Sequence, residues 1–96
     1  MNNKLNEGFK ELRKNGYFAR QNFMCCQTCG WSGVPDGKES KVVFYDNQDN
    51  DDKKNYEPFY LSWSGDGNEI QRILKKHGVE TEWDGSDSTR IRVTSW

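Results

Sequence analysis

All three cysteines of this 96-residue chain fall in one short block, Cys25-Cys26-Gln27-Thr28-Cys29-Gly30-Trp31. Thiols crowded this closely cannot staple distant segments, and an odd number leaves one unpaired, so a disulfide framework is not expected and a buried core must hold the fold. The length allows one such core, burying somewhat above ~60% of the unfolded chain's surface, so residues 1–96 read as a single domain. Leu, Ile, Val and Phe number only 17 of 96, a share that would signal disorder if the chain were highly charged. The formal net charge is only −1, and the large aromatics, with four Trp and four Tyr beside the five Phe already counted, supply the missing apolar surface at ~150–250 Å² each.

Leu5, Phe9 and Leu12 recur at helical spacing among charged and amide residues and stop at Asn15-Gly16, which predicts a first amphipathic helix. Tyr17, Phe18, Phe23 and Met24 predict a strand leading into the cysteines, and Pro35-Asp36-Gly37 a turn. Lys41-Val42-Val43-Phe44-Tyr45 has the content of a strand buried on both faces, and the polar run 46–55 after it reads as an exposed loop. A third strand, 59–63, places Phe59, Leu61 and Trp63 on one face. Asp66 and Glu69 have capping-box spacing ahead of the stripe Ile70, Ile73, Leu74 and His77, with Lys75 and Lys76 in the last turn and Gly78 after it, which together predict a second helix. The end of the chain reads as a hairpin, 79–83 against 90–94, with Glu80 and Glu82 facing Arg90 and Arg92 across its outer side. The predicted order is α-β-β-β-α-β-β: an α+β domain with a mainly antiparallel sheet of about five strands and two helices on one side.

Fourteen basic against fifteen acidic residues give no cationic excess, so a nucleic-acid partner is not expected. No apolar run approaches the roughly 18 residues that span a bilayer, and the first residues lack the apolar stretch of a signal peptide. The expectation is a cytoplasmic protein with no membrane partner, a monomer or small homo-oligomer.

The cysteine block has competing readings. Cys26-x-x-Cys29 has the spacing of half a zinc site, or of a redox couple if Cys26 starts a helix. Cys25 is a poor third ligand if the segment is extended, because neighbouring side chains then point to opposite faces, and the only histidine is distant in sequence. No β-α-β context is expected around the block, and the plain alternative is that the thiols pack as small hydrophobes beside Phe23 and Trp31. An EF-hand frame from Asp46 to Glu57 fails, with Asp51 where a glycine is required and strands predicted on both sides. Gly65-Asp66-Gly67 is a poor phosphate cradle because Asp66 repels an anion. With one histidine and no placed acid and base, no catalytic set assembles, and an enzyme is the less favoured class.

Phe23-x-Cys25-Cys26-x-Thr28-Cys29-Gly30-Trp31, Val43-Phe44-Tyr45 with Gln48-Asp49, Tyr60-Leu61-x-Trp63, and Trp83-Asp84-Gly85 with Thr89-Arg90-Ile91 form an ordered set of blocks. The set resembles a bacterial family known only as a domain of unknown function, over nearly the whole chain. The resemblance implies no activity. It does imply a common His after the central Phe-Tyr, where this chain has Asp46.

The leading expectation is a non-enzymatic domain of a bacterium or its phage that binds another protein, such as an inhibitor of a host system, without a cofactor. Trp31 and Trp96 are its candidate anchors, and Asp49, Asp51 and Asp52 its candidate acidic contacts. The alternative is a thiol or zinc protein acting through Cys25, Cys26 and Cys29.

Overall fold

The computed structural model describes residues 3–96. Helix α1 (Lys4–Lys14) is capped by the Asn3 side chain, which accepts from Asn6 N–H, and it buries Leu5, Phe9 and Leu12 as their spacing requires. Helix α4 (Gly67–Lys76) buries Ile70, Ile73 and Leu74. Asp66 caps it by accepting from Asn68 and Glu69 N–H, but the Glu69 carboxylate accepts the Tyr17 hydroxyl at 2.7 Å instead of closing the box. The two helices pack closely because Gly8 has no side chain: a Cβ there would lie 2.8 Å from Leu74 Cδ2.

The sheet contains β1 (Phe18–Arg20), β2 (Val42–Phe44), β3 (Phe59–Ser64), β4 (Glu80–Glu82) and β5 (Ile91–Ser95), in the order β1-β2-β3-β5-β4. Three of its pairings are antiparallel, and β1 with β2 is parallel. A parallel pair needs a crossover, and the connection from 21 to 41 supplies it with a short helix, α2 (Gln27–Ser32). The α+β class and mainly antiparallel sheet are therefore borne out, while the sheet is mixed and the helices number four rather than two.

The predicted strand through the cysteines is cut short at Arg20. Asn22 and Met24 adopt positive φ (52° and 65°) and turn the chain, so that Phe23 packs edge-on between Phe18 and Phe44. The predicted exposed loop after β2 is instead α3 (Asn47–Lys54), opened by a full capping box between Asp46 and Asp49 and closed with Lys53 and Lys54 in its last turn. The helices are also not all on one side. Phe9 of α1 and Leu74 of α4 join Val43, Leu61 and Val93 in the main core, whereas Val42 and Phe44 form a second cluster with Phe18, Phe23, Val34 and Trp31 under α2. Strand β2 is thus buried on both faces, as its composition indicates.

In the hairpin, Arg92 donates to Glu82 across the strands at 2.7 Å. Arg90 leaves that outer row and turns back to Asp49 of α3 and to the Tyr60 carbonyl, at 2.5 and 2.8 Å.

Glu11 of α1 accepts from Lys76 Nζ at 3.0 Å and lies 2.8 Å from His77 Nε2, joining the first helix to the end of α4. The His77 contact first, and Lys76 next, hold the Glu11 carboxyl below its ordinary 4.5. A carboxylate depressed on folding stabilises the fold above its unfolded value, and that contribution disappears as pH falls through the folded one. The urea midpoint of Glu11→Gln should therefore lie below wild type above pH ~5 and converge with it toward pH ~2. A gap unchanged at low pH would contradict this assignment.

A three-cysteine candidate metal centre

The segment ahead of α2 is not a strand, so Cys25 and Cys26 are not bound to the strand alternation that would send them to opposite faces. Cys26 is the N-cap of α2, and Cys29 lies one turn into the helix. The result brings all three sulfurs within 4.8 Å of one another, with Cys25 Sγ 3.9 Å from Cys26 Sγ. Four sulfurs around zinc at ~2.3 Å would stand about 3.8 Å apart, so the cluster resembles one face of a tetrahedron. No His, Asp or Glu joins it within that radius among the described residues.

The expectation of thiols packed as core hydrophobes is overturned, because Cys25 and Cys29 are exposed and Cys26 half-buried. The scaffold beneath them is what is buried. Gly30 lies against the Phe44 ring so closely that a Cβ would sit 2.3 Å from Cε2, and Trp31 meets the same ring edge-on at 5.3 Å. The expectation of no β-α-β context is also overturned, since α2 crosses between parallel strands β1 and β2 with Cys26 at its start.

The sulfurs are electrostatically unequal. Cys26 makes no cap hydrogen bond of good geometry, yet the facing Cys29 N–H, and next the Cys29 thiol, lower its pKa. Hydrogen bonding to Cys25, then to Cys26, pushes Cys29 up to about 11, since a second negative charge beside the first is disfavoured. A bound cation reverses that penalty, and a coordinating thiol gives up its proton.

Asp46, where the resemblance implies His, is buried as the cap of α3. Its neighbour Asn47 donates its N–H to the Met24 carbonyl at 2.9 Å, so α3 starts beside the cysteine segment, but the Asp46 carboxylate is not in the sulfur cluster. Among the other candidate residues, Trp31 and Trp96 are half-buried, the latter edge-on to Phe59 at 5.1 Å. Asp49 is buried against Arg90, while Asp51 and Asp52 are exposed on α3. Among the described residues the exposed large apolar side chains are Met24, Tyr56 and Tyr60, none of which was a candidate contact from the sequence. No helix among the described residues is long and apolar enough to cross a membrane.

The sequence model for the domain of unknown function DUF6891 matches residues 1–96. The chain belongs to the DUF6891 family. Membership bears out the expected resemblance to a family known only as a domain of unknown function. It adds no chemistry, so the function of this DUF6891 domain has to be argued from the cysteine geometry. No curated protein and no solved structure matches it.

Proposed function

We propose that this domain binds a soft metal ion, zinc in the first instance, through Cys25, Cys26 and Cys29. The observation that carries the reading is the mutual approach of three sulfurs within 4.8 Å, two of them exposed, in a segment anchored by Gly30 and Trp31. Thiolate donors favour zinc and copper(I) over hard cations such as magnesium and calcium. Three protein ligands leave a fourth position to water or an external ligand, the pattern of reactive rather than purely structural zinc sites. Such a site needs reduced thiols, which suits a cytosolic setting. The protein-partner reading has less support, because Trp31 and Trp96 pack against the core and Asp49 is engaged by Arg90.

Cobalt(II) titration of reduced protein tests the proposal. A thiolate-to-cobalt absorption band should saturate at one equivalent and be displaced by zinc. Cys25→Ser, Cys26→Ser and Cys29→Ser should each weaken binding by more than the roughly 10–100-fold lost when only a supporting contact to a ligand is removed. Because the thiols must shed protons, affinity should fall as pH is lowered. Undiminished binding in the triple serine variant would sink the proposal.

A second reading has its own observation, Cys26-x-x-Cys29 at the start of a helix between parallel strands. A disulfide oxidant such as oxidised glutathione would accept two electrons and two protons as the pair closes to a disulfide. If oxidation occurs only in metal-free protein and reverses with dithiothreitol, the two chemistries share one site.

A further inference from the structure

The three sulfurs converge on a backbone that is fixed on both sides of them. Phe23 N–H donates to the Tyr45 carbonyl at 2.8 Å, and the Met24 carbonyl accepts Asn47 N–H at 2.9 Å, which ties the chain ahead of Cys25 to the end of β2 and the start of α3. On the other side, Gly30 N–H donates to the Cys26 carbonyl at 2.9 Å and closes the first turn of α2 against the Phe44 ring. Donors ordered by the fold lose less freedom when a ligand engages all of them at once.

The donor set holds three thiols and, among the described residues, no His, Asp or Glu within the same radius. Cys25 and Cys29 are exposed, so the outer side of the cluster opens to solvent. Zinc takes four ligands, and three thiolates on it leave the centre with a surplus negative charge. A soft trivalent centre that bonds three sulfurs and carries a lone pair on its fourth side fits the same set with no further donor and no net charge. Arsenous acid has that chemistry. We propose that Cys25, Cys26 and Cys29 also capture trivalent arsenic as a three-coordinate thiolate complex, an inference that rests on the reading of the three sulfurs as one binding site. Three As–O bonds break and three As–S bonds form. Each hydroxide leaves as water with the proton of the thiol that replaces it, and arsenic stays trivalent, so no oxidant or reductant is consumed. The Cys26-x-x-Cys29 pair alone would hold arsenic with one hydroxide retained, so dependence on Cys25 separates the three-sulfur complex from a two-sulfur one.

The test is native mass spectrometry of the full chain mixed with one equivalent of sodium arsenite, with a phosphine as reductant because a dithiol would itself chelate arsenic. Wild-type protein should gain one arsenic, lose three hydrogens and keep no added oxygen. Cys25→Ser changes an exposed side chain and should retain the fold, yet it should lose that adduct and show only the heavier one that keeps a hydroxide. The variant with all three cysteines changed to serine should show neither. Parallel samples receive zinc in place of arsenite. Zinc uptake without an arsenic adduct would overturn this inference and leave the zinc reading in place, whereas an oxygen-free arsenic adduct without zinc uptake would uphold it and sink the zinc reading. Uptake of neither would remove the premise the two share. A wild-type adduct that keeps its hydroxide, or the same adduct in wild type and Cys25→Ser, would also overturn the three-sulfur complex.

Discussion

Asp49→Ala should destabilise the protein by about 3 kcal/mol, the lower end of the ~3–5 kcal/mol for breaking a buried ion pair, because Arg90 is only partly shielded from water. The Asp49 side chain is 8% exposed and that of Arg90 29%. Removing the carboxylate leaves the guanidinium without its counter-charge and also takes the Asp49 half of the α3 capping box from Asp46 N–H. Burial pushes the Asp49 carboxyl above its ordinary value more than Arg90 pulls it down, so the ionised carboxylate is held in place at a cost. A raised acid binds protons more tightly in the folded state, so its contribution falls as pH rises through the window just above the ordinary carboxylate value. Asp49→Leu combined with Arg90→Met should accordingly recover much of the loss, since an apolar pair often matches or exceeds a buried ionic one. Asp51→Ala and Asp52→Ala, on the exposed side of the same helix, should stay within about 0.5 kcal/mol of wild type. Denaturant melts of the four variants decide the matter, and an Asp49→Ala midpoint equal to that of Asp51→Ala would contradict it.

Gly30→Val should cost about 3 kcal/mol and abolish metal binding without altering a ligand. A Cβ at position 30 would stand 2.3 Å from Phe44 Cε2 and 2.6 Å from Cζ, and the Phe44 side chain is fully buried between Phe23 and Trp31. The ring cannot retreat, so α2 must lift. Overpacking of this kind costs typically ~1–3 kcal/mol for modest additions, and valine adds two methyl groups beyond the colliding Cβ. Gly30→Ala should fall lower in that range, because alanine regains about 1 kcal/mol of helix propensity. Cobalt titration beside a thermal melt measures both effects. Wild-type affinity in a folded Gly30→Val protein would mean that the sulfur cluster does not depend on this packing.

These two positions also mark where the sequence stops being readable. Helices α1 and α4 were legible because each buries three apolar residues at helical spacing, the first stopped by Asn15-Gly16 and the second capped by Asp66. Strand β3 was legible from the alternation of Phe59 and Leu61 against Tyr60, and β2 from its unbroken apolar run. Helix α3 buries a single residue, the polar Asp49, so periodicity carries no signal there. The available clue was Asp46-x-x-Asp49, a capping box with aspartate in place of the usual Glu or Gln. Helix α2 has six residues, including Thr28 and Gly30, and depends on Phe44, a long-range contact that local propensity does not register.

The same limit explains the candidate site. Cys26 and Cys29 were paired by spacing, but the inclusion of Cys25 depends on the strand ending at Arg20, before a turn with left-handed φ at Asn22 and Met24 that few non-glycine residues adopt and that no pattern announces. The Arg90 row was misassigned for a related reason: Glu82 takes Arg92 as a cross-strand rule predicts, while Arg90 finds Asp49 across the fold.

Native mass spectrometry of the protein purified anaerobically, without chelator, and offered one equivalent of zinc tests the central claim most directly. The account predicts one zinc per chain, displaced protons in the bound mass, and no uptake by the triple serine variant. An apo chain with three reduced thiols in the presence of that zinc would contradict it.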